Sequence, residues 1–200
     1  RLRPPSDDPP AAWARYALDA YVLCIPSSDG SWQAPRGLTM RDWLRGEDPR
    51  AATLRDVDYH LTTLFPHVRP RGFLELRVID AQAGSDWEAV AAMTATLVDD
   101  ERVADLAADA CAPLASLPNP VSAAARDGLA DPVIAAAALS CAEAALGALD
   151  RLGADGETMT RTEGFVERYT ARGRCPADDW VELWRRTGSY FDPPEGGLLS

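Results

Sequence analysis

Two hundred residues, 46% of them hydrophobic, can bury a substantial core, and the length fits one domain or a large part of one. The formal net charge of -11 argues against a sequence-independent grip on nucleic acid, which needs a basic surface, and leaves room only for a local basic site. No apolar run approaches the roughly 18 to 20 residues of a membrane span and no secretory leader is visible, so a soluble, cytoplasmic protein is expected.

Every basic residue besides the two histidines is arginine, a usage typical of a GC-rich genome. Cys24, Cys111, Cys141 and Cys175 are widely spaced and form no CxxC pair, so no zinc knuckle or thioredoxin-like motif is available and most are expected to be buried thiols. The chain opens Arg1-Leu2-Arg3 without an initiator methionine, so a fragment of a longer protein is expected.

Arg1 to Pro10 reads as a loop leading into a helix near Ala11, with Trp13, Tyr16 and Ala17 on one face. Tyr21 to Ile25, stopped by Pro26 and a Ser27-Ser28-Asp29-Gly30 turn, predicts a short strand. Thr39 caps a short helix ending at Gly46, and Thr53 caps another whose Leu54, Val57, Leu61 and Leu64 form a stripe with His60 at its edge. Pro66 and Pro70 force an extended crossing into Phe73 to Asp80, whose alternation predicts a strand.

The remainder reads as helical. Ser85 with Glu88 predicts a capping box for a helix through Val98, and Val103 to Ala112 supplies another. Asp131 and Pro132 open a long alanine-rich helix closed by Gly153. Thr160 with Glu163 predicts a helix closed near Gly173, and Pro176 begins one carrying Trp180, Leu183 and Trp184, with a frayed tail from Asp192.

In Phe73 to Asp80 the period of two puts Leu74, Leu76 and Val78 on a packing face and Glu75 with Arg77 on the other. A carboxylate and a guanidinium roughly 7 Å apart along a strand suit a divalent metal beside the phosphate it neutralises. Arginine grips phosphoryl oxygens as charge moves during transfer. The same pattern also describes a half-buried strand with an ion pair of small energetic value.

Asp58-Tyr59-His60-Leu61-Thr62-Thr63-Leu64-Phe65-Pro66-His67-Val68-Arg69, followed by Leu74-Glu75-Leu76-Arg77, resembles the HLTTxFPxVR and LExR signature of the plant-type and actinobacterial glutamate-cysteine ligases. Trp13 to Asp19 and the stretches from Phe165 to Arg168 and Cys175 to Asp179 look like the ligase at the head of ergothioneine biosynthesis. The resemblance implies an α+β fold: a few strands of a larger antiparallel, glutamine synthetase-like sheet, then a mostly helical carboxy-terminal region. Residues 1–200 would form the carboxy-terminal part of one catalytic domain.

The implied reaction uses ATP and Mg2+ to phosphorylate the γ-carboxylate of glutamate, after which the cysteine amine displaces phosphate. By resemblance Glu75 is the metal ligand and Arg77 and Arg69 are catalytic, with Arg77 at the ATP phosphates. His60, Thr62 and Thr63 are candidate nucleotide contacts, while an isolated His beside an apolar helix face is more often a packed residue and an equally good reading turns both threonine hydroxyls back onto the helix. His67 reads as a loop residue.

Glu75 cannot cage magnesium alone, so the missing amino-terminal half is the implied partner and the isolated chain is expected to be inactive; a monomer is the simplest expectation. Two other readings stay open. One is a related carboxylate-amine ligase with another acceptor amine. The other is a helical interaction module presenting Trp13, Trp43, Trp180 and Trp184.

Overall fold

A computed structural model describes residues 8–27, 30–46 and 50–189, which fall into two units meeting in sequence between Ile79 and Asp80. The described residues are mostly helical with one two-stranded antiparallel sheet, an α+β composition.

In the first unit, the Asp8 carboxylate accepts from the Ala11 amide and starts α1 (Pro9–Asp19), two residues earlier than the sequence suggested. The predicted strand at Tyr21 to Ile25 is not formed. Tyr21 makes an isolated bridge with Thr39, and the next residues run as irregular chain whose Val22 and Ile25 turn into the core. With no second strand alongside, the apolar run gains nothing from ladder geometry and is used as packing. Thr39 caps α2 (Met40–Leu44), and Met40 and Trp43 complete the cluster with Val22 and Ile25. The Trp43 indole donates to the Arg50 carbonyl at 2.5 Å.

Thr53 and Asp56 form a full capping box at the head of α3 (Leu54–Thr62). The predicted stripe is buried only in part: Leu64 is buried and Val57 packs on the core cluster, Leu54 is 84% exposed and Leu61 exposed, and Asp56 and His60 are buried beside them. Asp56 binds Arg50 through two bonds of 2.7 and 2.8 Å, and His60 Nε2 bonds to the Ala17 carbonyl at 2.9 Å. These partners make polar burial affordable where periodicity alone favours leucine. The chain then forms β1 (Val68–Pro70) and β2 (Leu74–Leu76), shorter than the predicted strand.

The second unit holds α4 (Asp86–Asp99), α5 (Glu101–Cys111), α6 (Pro120–Asp127), α7 (Pro132–Leu149), α8 (Gly156–Arg168) and α9 (Pro176–Thr187). Helices α4, α5, α7 and α8 pack on one another. Asp131 caps α7 by accepting from the Val133 and Ile134 amides, with Pro132 at the first helical position. Its Ala137, Ala142, Ala145, Ala148 and Leu149 are buried, and the four alanines let neighbouring helices approach closely. By length and composition α7 is apolar enough to cross a membrane, which corrects the expectation that no run comes near that limit.

Three local expectations change here. Ser85 precedes α4 without a side-chain cap, its ψ near 1° departing from the extended backbone of the Thr39 and Thr53 caps. Helix α8 starts at Gly156 because Asp155 accepts from the Thr158 amide, ahead of the Thr160 start. No cysteine is fully buried: Cys111 and Cys175 are exposed, and Cys24 and Cys141 half-buried. Gly173, at φ +64°, closes the turn after α8 in a left-handed conformation suited to glycine. The predicted fraying from Asp192 lies outside the described residues, as do Arg1 to Asp7 of the predicted leading loop.

Candidate active site

The site grows out of the β1–β2 hairpin. Arg69 stands directly opposite Glu75, in a register flanked by Val68 with Leu76 and Pro70 with Leu74. Beyond the ladder the Arg77 amide donates to the His67 carbonyl and the Arg71 amide to the Phe73 carbonyl, each at 2.8 Å. Gly72, at φ +78°, supplies the left-handed turn at the tip. Opposed residues share a face, so Arg69 and Glu75 project together and Arg77 joins them two residues on.

Three guanidiniums gather round one carboxylate. Arg77 Nη1 donates to Glu75 Oε1 at 3.1 Å, Arg69 Nη1 lies 3.5 Å from Glu75 Oε2, and Arg71 Nε lies 3.9 Å from the same oxygen. Arg69 is the most enclosed, with its side chain 12% exposed and Nη2 donating to the Leu64 carbonyl at 3.3 Å. Arg77 rests over the Phe65 ring at 5.1 Å. Two buried polar atoms in the cluster lack a hydrogen-bond partner, Glu75 Oε2 and Arg69 Nε.

That arrangement carries a surplus of positive charge and one unmet donor, Arg69 Nε, so it suits an anion with several oxygens. Glu75 Oε2 keeps a lone pair that fits a hard cation. A bare divalent ion placed among three guanidiniums is repelled, whereas one arriving with a polyphosphate is compensated by the phosphate charge. Among the described residues no group of three or more His, Cys, Asp or Glu gathers into a metal site, so Glu75 needs ligands from elsewhere to complete coordination.

Of the residues singled out in the sequence, the fold brings together Glu75, Arg77 and Arg69. It does not bring His60, Thr62 or Thr63 into that cluster. His60 is buried against the Ala17 carbonyl; Thr62 and Thr63 donate back to the Tyr59 and His60 carbonyls at 2.6 and 2.8 Å. His67 is exposed beside the hairpin. Arg71 was missed, although a hairpin tip at Gly72 places odd-numbered positions 69, 71, 75 and 77 near one another, a parity that sequence offers once the turn is recognised.

The expected packing face behaves differently. Leu74 is 61% and Val78 58% exposed, whereas Leu76 is half-buried, so the described residues of this unit cover that face only in part. Of the four tryptophans proposed as a partner surface, Trp43 is buried, Trp13 and Trp180 are half-buried, and Trp184 is exposed, so they do not form one exposed patch.

A second polar feature of this unit is a cleft of about 650 Å3 lined in part by Trp32, Arg50, Arg55, Asp56 and Tyr59. Trp32 and Tyr59 meet edge to face at 5.7 Å. The Arg50 guanidinium, with help from Thr53, holds the Asp56 carboxyl well below the usual carboxylate range. In the helical unit, Arg168, Arg174 and Tyr169 converge on Asp179 at 2.8 to 2.9 Å. Burial opposes ionisation of Asp179, but those three donors outweigh it and lower its pKa. The family-like stretch from Phe165 to Asp179 thus ties α8 to α9.

Residues 4–191 match the model of glutamate-cysteine ligase family 2 (GCS2). Over 186 residues the chain is 42% identical to the glutamate-cysteine ligase EgtA of Mycobacterium tuberculosis, covering 88% of this chain and 40% of that relative. Identity to EgtA of Mycolicibacterium smegmatis is 39% over 180 residues, with the same coverage. A chloroplastic glutamate-cysteine ligase of Medicago truncatula is 39% identical over 84 residues, 36% of this chain and 16% of that protein. The chain therefore spans about 40% of the length of these mycobacterial relatives. No solved structure matches it.

Proposed function

This chain belongs to glutamate-cysteine ligase family 2, and from that premise we propose that the polypeptide containing it joins the γ-carboxylate of glutamate to the amine of cysteine at the expense of ATP. The observation that carries the reading is the Glu75 carboxylate set among Arg69, Arg71 and Arg77 with Oε2 unbonded. A carboxylate oxygen of glutamate attacks the γ-phosphorus of ATP, the bond to ADP breaks, and an acyl phosphate forms. The cysteine amine then attacks the acyl carbon and phosphate leaves, taking the bonding electrons.

Arg77 and Arg69 hold the anionic oxygens while charge moves toward the leaving group, which matters most in a site that excludes water. Bound Mg2+ would neutralise phosphate charge, with Glu75 as one of its ligands. His60, through Ala17, fixes the helix from which the Arg69 segment departs. The reading places the remaining acidic ligands and the glutamate pocket on the other part of the polypeptide, so residues 1–200 form the carboxy-terminal part of one catalytic domain and are inactive alone.

The partly uncovered apolar face of the hairpin supports the same reading, since a two-stranded sheet is marginal by itself and a larger antiparallel sheet backed by helices would cover Leu74 and Val78. Four free thiols suit the reducing cytoplasm, where this reading places the enzyme. The resemblance around Trp13 to Asp19 and Phe165 to Asp179 directs the product to ergothioneine. Phosphate release by the full-length polypeptide tests the proposal: glutamate, cysteine and ATP together should support turnover. Turnover with another amine and none with cysteine contradicts the assigned acceptor.

A further inference from the structure

Cys111 ends α5 and Cys141 lies near the middle of α7, yet their sulfurs are 3.9 Å apart. The two helices pack together, so the fold itself sets the pair face to face. A disulfide needs about 2.05 Å between sulfurs, and rotation about χ1 of an exposed cysteine supplies much of the remaining approach. Cys111 is exposed and Cys141 half-buried. A cleft of about 510 Å3 is lined by Asp109, Ala110 and Pro113, neighbours of Cys111 in sequence, and by Ala137 and Ser140, neighbours of Cys141, with neither sulfur in its lining.

We propose that Cys111 and Cys141 form a dithiol site that takes a low-molecular-weight disulfide as oxidant and closes to an intramolecular disulfide joining α5 to α7. The Cys111 thiolate attacks one sulfur of the small disulfide, whose S–S bond breaks to release one small thiolate. Cys141 gives its proton to water, attacks the Cys111 sulfur and releases the second. Two protein thiols are oxidised by two electrons and one small disulfide is reduced to two thiols.

The order follows from the surroundings. Burial first, and then the neighbouring Cys111, push the Cys141 thiol up to about 11, so Cys141 suits the closing step and the accessible Cys111 the opening one. Neither residue belongs to the hairpin cluster, so this inference stands apart from the ligase reading.

The test treats the full-length polypeptide with 2-hydroxyethyl disulfide, blocks remaining thiols, and maps peptides without reduction. The expected product links the Cys111 and Cys141 peptides, with a mass about 2 Da below their sum, and dithiothreitol separates them. Cys141→Ser should retain a stable small-thiol adduct on Cys111, and Cys111→Ser should give no such link. A wild-type protein that keeps the adduct on Cys111, joins either cysteine elsewhere, or leaves both unmodified overturns the proposal.

Discussion

Ala145 in α7 is wholly shielded from solvent, whereas Leu74 in β2 is 61% exposed, although both are apolar residues in regular structure. The helical unit closes on itself: α4, α5, α7 and α8 cover one another's small side chains, and Asp100, Asp131 and Asp155 cap the starts of α5, α7 and α8. The unit ending at Ile79 has a small cluster around Trp43 and leaves Leu74 and Val78 of its hairpin exposed. Its charged residues are the better organised part. The contrast teaches that the helical unit's burial is local, while the site-bearing hairpin leaves Leu74 and Val78 exposed among the described residues.

The largest effect that sharpens this contrast is expected at the charged face. In the full-length polypeptide, Arg77→Ala should lower phosphate release with glutamate and cysteine by about 100-fold, with an unchanged far-ultraviolet spectrum. Turnover near wild type would make the hairpin charges ordinary surface. Next comes Ala145→Leu, which overfills a closed helix contact and should cost about 2 kcal/mol in urea unfolding of the 200-residue chain. An unchanged midpoint would show that α7 packs more loosely than its burial indicates.

A smaller loss, about 1.5 kcal/mol at pH 7, is expected for Asp56→Ala, which removes the capping box and the Arg50 bonds. The folded-state pKa of Asp56 is depressed, so its contribution is full above the unfolded carboxylate value of about 3.9 and is lost as pH falls through the lower folded value. The variant and wild-type stabilities should therefore converge in acid. Convergence at alkaline pH instead would refute the sign. Smallest is Leu74→Ser, expected to shift the stability of the 200-residue chain by no more than about 0.5 kcal/mol. The same change in the full-length polypeptide should cost more, and equal effects in both would break the idea of a covered sheet.

Much of the helical unit was legible because its signals are local. Asp131-Pro132 marks the start of α7, and Pro176 that of α9. The Thr39 and Thr53 caps were equally readable. The buried polar residues of α3 were not, because Asp56 and His60 owe their burial to Arg50 and to the Ala17 carbonyl, which is distant in sequence. The strand at Tyr21 failed for a related reason: its pairing depends on a partner strand, and Thr39 alone provides a single bridge. In the site, alternation placed Glu75 beside Arg77, and the family motif added Arg69. Arg71 required knowledge of where the hairpin turns, which Gly72 decides.

The central claim is that Glu75, held among three arginines, seats a metal-bound nucleotide. Calorimetric titration of ATP into the full-length polypeptide, with and without Mg2+, compared with Glu75→Gln, addresses it directly because the substitution keeps shape and removes charge. The account predicts that Mg2+ strengthens ATP binding to the wild type and has little effect on the variant. Equal strengthening in both proteins would contradict it.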